Sequence, residues 1–349
     1  MKLIKWLVII LIVAMAMATV SRYVLHLPIL TFALSAVALI LLSKFLGDAT
    51  EHFSRFVGES FAGLLNVTLS NLAELIIIYV AVRENMVDLV QAGIVGSMIG
   101  NLLLVMGMSI YFGCKKNGTM RFNPDTATLF IDMLFLVTAA LIFPTLFSKH
   151  IPANRQLHYS YVLALMLVGV YVYFYHLSRT DRRFKEIHEQ IKEADSRWTK
   201  IFSLSVLILA AVGAFIMSEL LISEVESVAK VVKIPRMFIG FILLPLLGNI
   251  AEHFVAVTAA WKAKVELSLA ISVGSAAQVG MIIAPCAVLF GILTGNPLTL
   301  YFATLPVGAL IITFFAAFIV LRDDNWNINE GVMLLALYAS ILVAFWFTR

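Results

Sequence analysis

The chain has 349 residues, 61% of them hydrophobic and 13% charged, against about 25% charged in an ordinary soluble domain. A net charge of +4, from 25 Lys and Arg against 21 Asp and Glu, comes from a few loops and does not describe a nucleic-acid-binding face. Cys114 and Cys286 lie in or beside apolar stretches without the spacing of a disulfide framework or a zinc site, which leaves an integral membrane protein with the lipid bilayer as its partner.

A spanning helix needs about 20 mostly apolar residues. Runs near 4–20, 28–50, 60–82, 86–112, 126–147 and 157–177 meet this requirement. After a polar stretch at 178–200, five more follow near 201–222, 235–260, 265–292, 297–321 and 331–348. The expected fold class is an all-α polytopic membrane protein of about eleven transmembrane helices, because the runs are continuous and not alternating as barrel strands are. The first run also has the form of a signal peptide, with Lys2 and Lys5 ahead of an apolar stretch ending in small residues around Ala14 to Ala18.

Loop charges favour keeping that first helix. With eleven spans, one side holds sixteen basic residues: Lys2, Lys5, Arg55, Lys115, Lys116, Arg121, seven from Arg179 to Lys200, Lys262, Lys264 and Arg322. The other side holds eight: Arg22, Arg83, Lys149, Arg155, Lys230, Lys233, Arg236 and Arg349. The positive-inside rule then places the N-terminus and the 178–200 connector in the cytoplasm and the C-terminus outside. The connector mixes both signs at helical spacing and reads as a solvated helix joining two halves.

Those halves are related by a fixed offset. Asn71-Leu-Ala-Glu74 reappears 178 residues later as Asn249-Ile-Ala-Glu252, and Gly96-Ser97 reappears as Gly274-Ser275. Asp88 and Glu266 also coincide, as acidic residues suited to helix N-termini. Setting the first helix aside leaves five spans per half, and an odd number of crossings inverts the second half, the architecture of many secondary transporters. The divisions expected are a first helix and loop (1–27), a five-helix repeat (28–177), the charged cytoplasmic connector (178–200) and a second five-helix repeat (201–349).

A charged side chain near the bilayer centre costs at least about 2.5–3.5 kcal/mol on insertion scales. Glu74 and Glu252 lie inside apolar runs, each with an asparagine three residues earlier on the same helical face. One such glutamate is readily explained as helix glue; two at repeat-related positions point to function. Glycines surround them, at Gly58, Gly63, Gly240 and Gly248, with Pro245 beside the second motif. Either the helices break there and free carbonyl oxygens as ligands, or the glycines permit close packing, a reading that also fits Gly93, Gly96 and Gly100.

Carboxylate, amide, hydroxyl and carbonyl oxygens together describe a hard-cation site, and Ca²⁺ takes six to eight such ligands. Asn101 and Gln278 follow the two Gly-Ser pairs and offer amide oxygens. His253, one residue past Glu252, points about 100° away around a helix. Leu75 takes its place in the first half, so His253 is a candidate for proton transfer or gating. Glu51 and Glu219 form a looser pair for that role, ten residues off the repeat offset. Asp132 has no counterpart and no assigned role.

These motifs resemble the calcium/cation-proton exchangers, the CAX branch of the cation/calcium exchanger superfamily. The stretches that carry the resemblance are GLLNVTLSNLAELI and GSMIGN in the first half, and GNIAEH and GSAAQ in the second. The resemblance implies a secondary active antiporter that exports cytoplasmic Ca²⁺ in exchange for H⁺ by alternating access. It implies that Glu74 and Glu252 bind metal and protons in alternation, assisted by Asn71, Asn249, Ser97, Ser275, Asn101 and Gln278. The alternative on the same fold is a Na⁺/Ca²⁺ exchanger; those proteins usually carry proline before the motif glutamate, where this chain has Ala73 and Ala251. Ser70 also departs from the glycine expected before Asn71. No HExxH or GxSxG constellation appears, so an enzyme is not expected. No cofactor is expected beyond the transported Ca²⁺ and H⁺, a homo-oligomer is left open, and the expected location is a prokaryotic cytoplasmic membrane.

Overall fold

In a computed structural model the described residues are 2–54, 56, 69, 71–180 and 198–347, with the side chains of 2, 3 and 178–180 left aside. They form α1 (Lys2–Val20), α2 (Pro28–Ser54), α3 (Leu72–Arg83), α4 (Val87–Asn117), α5 (Pro124–Leu146) and α6 (Ala153–Thr180) in the first half. The second half contributes α7 (Lys200–Val232), α8 (Arg236–Trp261), α9 (Val265–Thr294), α10 (Thr304–Arg322) and α11 (Ile328–Trp346). Ten of these are long and apolar enough to cross a membrane. The eleventh expected span, 60–82, is described over 69 and 71–82, with α3 starting at Leu72; Gly58, Gly63 and Arg55 lie outside the described residues. The protein is thus an all-α multi-pass membrane protein. Leu165, Ile201 and Leu209 on these helices are exposed by 74, 79 and 72%, as side chains facing lipid tails are.

Helix ends follow local chemistry. At the start of α5 the Asn123 side chain accepts from Asp125 N–H at 2.9 Å and Pro124 takes the first helical position. At the start of α11, Asn327 and Glu330 form a reciprocal capping box. One departure from the all-helical expectation is a two-residue antiparallel ribbon, Met120–Arg121 (β1) with Asn325–Trp326 (β2). It joins the α4–α5 and α10–α11 connections.

The described residues divide into two compact units, and these are not the sequence halves. One takes residues from 1–90 and 195–251, the other from 91–194 and 252–349. In the first unit α7 runs along α2, with α1 and α3 against the pair. Gly213 of α7 lies where a Cβ would sit 3.0 Å from Leu42 of α2. Arginines fasten the acidic stretch of α7: Arg83 to Glu219 at 2.6 Å, Arg236 to Glu226 at 2.9 Å, and Arg22 to the buried Glu224. Arg236 also reaches Asp88 at 3.2 Å. In the second unit α4 packs on α11, α5 on α10, and α9 on α4, α5 and α6. A Cβ at Gly331 of α11 would meet the Tyr111 nitrogen of α4 at 2.7 Å, so a small residue sets that approach.

The repeat is written into the backbone as well as the motifs. Helix α3 ends at Arg83 and α8 at Trp261, both followed two residues later by a left-handed residue, Asn85 at φ 55° and Ala263 at φ 58°. The next helices start at Val87 and Val265. Each then contains a π-helical stretch, Gly100–Val105 in α4 and Val279–Ile283 in α9. Helix ends, left-handed caps, helix starts and the last π residues all obey the 178 offset.

Of the two readings of the motif glycines, close packing holds at the second motif. The backbone does not break at the second glutamate motif: α8 runs helical through Pro245, Gly248 and Glu252. The irregularity lies one helix later, in the π stretches, where i→i+5 bonding inserts an extra residue into the turn. Gly240 and Gly248 serve close packing, with a Cβ at Gly240 falling 2.5 Å from Leu89 O and one at Gly248 falling 2.9 Å from Glu74 Cβ. Gly100 is not a packing glycine, since its Cβ would meet nothing within 4 Å.

Candidate functional site

Glu74 occupies the first turn of α3, where the helix N-terminus favours an anion, and it is completely buried. It is reached from α8. The absence of a side chain at Gly248 lets the α8 backbone come against Glu74 Cα and Cβ, and the next residue, Asn249, donates its Nδ2–H to Glu74 Oε2 at 3.0 Å. Ser43 of α2 fixes the same turn of α8 by donating its hydroxyl to Leu247 O at 2.5 Å. Asn71, immediately before α3, is also buried.

This arrangement differs from the sequence expectation in one useful respect. Asn249 shares a helical face with Glu252, but its side chain bonds the glutamate of the other repeat.

Glu252 belongs to the second unit and is half-buried. Its Oε2 accepts the Ser275 hydroxyl of α9 at 2.9 Å, so the Gly-Ser motif of the same repeat supplies its donor. On α4 the equivalent Ser97 is buried, and its carbonyl accepts Asn101 Nδ2–H at 3.0 Å. Asn101 Oδ1 is buried with no hydrogen-bond partner among the described residues, and Asn101 lies in the π stretch itself. Gln278 stands immediately before the π stretch of α9. His253 is 6% exposed, and its Nε2 has no hydrogen-bond partner among the described residues.

The remaining acidic residues are placed as follows. Glu219 is in an ion pair with Arg83 and is partly exposed, which makes it a fastener between α3 and α7. Glu51 is half-buried near the end of α2, and Asp132 is exposed on α5. Among the described residues no group of three or more His, Cys, Asp or Glu is assembled into a metal cluster. The chemistry on offer is therefore buried carboxylate with amide and hydroxyl oxygens, the donor set of a hard cation. The Asn249 amide on Glu74 and the Ser275 hydroxyl on Glu252 are neutral donors.

Sequence reasoning missed the π stretches, the Asn249–Glu74 bond and the close approach at Gly248. Signals existed for part of this: Gly248 next to the motif asparagine marks a place where backbones meet, and Gly100 and Gly280 flank or enter the π stretches.

Compared with known proteins, the chain matches the sodium/calcium exchanger protein family over residues 27–178 and 202–347. It is 32% identical over 341 residues to a Ca²⁺/H⁺ antiporter of Synechocystis sp., covering 90% of each chain. It is 34% identical over 334 residues to a Ca²⁺/H⁺ antiporter of Aphanothece halophytica, again covering 90% of each. A solved structure of the Ca²⁺/H⁺ antiporter protein YfkE superposes with a TM-score of 0.85 at 27% identity, covering 99% of this chain and 100% of that one.

Proposed function

The chain belongs to the sodium/calcium exchanger family, in its calcium/cation-proton exchanger branch, and on that premise we propose that it is a secondary active antiporter exchanging Ca²⁺ for H⁺. The observation that carries this reading is a pair of repeat-related membrane glutamates, Glu74 and Glu252, each held by a neutral donor from a motif-bearing helix. Each carboxylate takes part of a Ca²⁺ coordination shell or a proton. The two occupants exclude each other because both neutralise the same charge. Asn71, Asn249, Ser97, Ser275, Asn101 and Gln278 supply oxygens or orient the carboxylates, and His253 modulates the pH dependence without being an obligatory ligand.

Burying an uncompensated carboxylate costs several kcal/mol, so the protein passes through its occluded state loaded with either metal or protons. Alternating access, by movement of one group of helices against another, then exports cytoplasmic Ca²⁺ as H⁺ enters. In this reading the five-helix repeats 28–177 and 201–349 are inverted, and the N-terminus and the 178–200 connector face the cytoplasm of a prokaryotic cell.

Sodium-coupled exchange on the same fold is the second reading, and Ala73 and Ala251 in place of the expected prolines argue against it. The deciding experiment measures Ca²⁺ flux into inside-out vesicles under a pH gradient without Na⁺, and under a Na⁺ gradient without a pH difference. Flux driven by the pH gradient alone is expected. Flux that appears only with the Na⁺ gradient would reject the proton-coupled reading.

A further inference from the structure

At one end of the second unit α4 and α8 terminate side by side. Their approach is set by Gly113, where a Cβ would meet Ala260 Cβ and O at 3.1 Å each. Asn117 seals the contact, donating to Gly113 O at 3.0 Å and lying 3.3 Å from both Ala260 O and Trp261 O. This packing brings Lys116 onto Trp261: its ammonium lies 4.9 Å from the indole centroid and donates to Trp261 O at 3.1 Å. Lys115 lies 5.8 Å over the ring of Tyr111. Lys262 and Lys264 follow Trp261 directly, and Arg121 follows on β1.

Two features separate this cluster from an ordinary loop. First, four of its cations stand outside ion pairs: among the described residues none of Lys115, Lys116, Arg121 and Lys262 forms one, whereas Arg22, Arg83 and Arg236 are all matched to carboxylates. The segments 115–121 and 261–264 contain no acidic residue. Second, the cations are interleaved with aromatic rings at the ends of spanning helices, and Trp261 is 44% exposed. Tryptophan and tyrosine concentrate where lipid headgroups lie. Basic clusters at that depth attract anionic lipid. The turn that presents Lys262 and Lys264 also holds Ala263 at a positive φ, a conformation an alanine adopts at a cost.

We infer that the ends of α4 and α8 form a binding site for the headgroup of an anionic phospholipid, with Lys115, Lys116 and Lys262 facing its phosphate and Trp261 seated at the acyl boundary. The site depends on the membrane-spanning fold and not on the transport reading, so its test uses no flux measurement.

The full chain is reconstituted in phosphatidylcholine–phosphatidylglycerol vesicles in which either the neutral or the anionic lipid is brominated, and the fluorescence lost on Trp261→Phe isolates the signal of this one of five tryptophans. Brominated phosphatidylglycerol is expected to quench that signal about threefold more strongly than brominated phosphatidylcholine at equal fraction. The triple variant Lys115→Gln, Lys116→Gln, Lys262→Gln should bring the ratio to one. Raising the salt from about 0.05 to 0.5 M around the unmutated chain should also shrink the preference, since the screening length falls severalfold; this arm stands if the triple variant does not fold. Equal quenching by both lipids, or a preference untouched by salt and by the triple variant, overturns the site.

Discussion

Gly248 offers a graded test of how the carboxylate is held. A Cβ at this position would sit 2.9 Å from Glu74 Cβ and 3.2 Å from its Cα. Ordinary contact begins near 3.4 Å, so Gly248→Ala must push α8 and the first turn of α3 apart by about half an ångström. Overpacking of this kind costs about 1–3 kcal/mol. The better helix propensity of alanine offsets up to about 1 kcal/mol, and the net loss is about 0–2 kcal/mol, a shift of a few degrees in apparent melting temperature. Function should suffer more than stability, because the displacement falls on the Glu74 carboxylate and its bond from Asn249. Sites tolerate only about 0.5 Å of error, and Ca²⁺/H⁺ exchange should drop at least about tenfold. Two variants bracket the result. Gly47→Ala on α2, with nothing within 4 Å, should match the unmutated chain, and Gly240→Ala, with Leu89 O at 2.5 Å, should lower the yield of folded protein. Thermal unfolding in detergent is read beside flux in vesicles. A Gly248→Ala protein with undiminished exchange would refute the argument that this approach sets the site.

Glu74→Gln and Glu252→Gln should each abolish coupled exchange while leaving insertion and folding intact, because an amide keeps the shape and cannot titrate; robust pH-driven Ca²⁺ uptake by either purified variant would remove that residue from the mechanism. Ala263→Gly should stabilise the protein by about 1 kcal/mol, since glycine carries no penalty at φ 58°, and an unchanged or lower melting temperature would contradict this. The connector should be cytoplasmic: a cysteine at position 196 should resist an impermeant reagent in intact cells while one at position 348 reacts, and the reverse pattern would overturn the topology.

Much of the fold was legible because lipid imposes a single rule, long apolar helices, that hydropathy reads directly. The boundaries of α2 and α8 in the sequence reading, 28–50 and 235–260, lie within four residues of Pro28–Ser54 and Arg236–Trp261. The ribbon at Met120–Arg121 escaped because two residues carry no period, and the π stretches escaped because they keep the apolar composition of the helix around them. The glycines divided by physical cause. Those at 240 and 248 answer to the backbone of another helix, a fact that needs tertiary structure, and proline at 245 is accommodated without ending α8. The glutamates themselves were legible because charge in an apolar run is expensive. Their partners were not: Asn249 shares a face with Glu252 by sequence, yet packing at Gly248 carries it to Glu74.

That exchange of partners bears on why the proposed transport would be coupled. The amide on Glu74 and the hydroxyl on Glu252 can orient a carboxylate without neutralising it. Had Arg83 reached Glu74, the cation would have been built in, and cargo would have had to displace it; the arginine instead satisfies Glu219 at the far end of α3. In the proposed exchange the cargo brings the counter-charge to these membrane carboxylates. A hydrogen bond to an ionised group contributes about 1.5–3 kcal/mol, less than the several kcal/mol lost when such a group leaves water. An ionised carboxylate with no cargo beside it is thus the state least able to be occluded. A passive channel would need that state to be cheap, whereas an exchanger needs it to be costly, so that Ca²⁺ departs only as protons arrive.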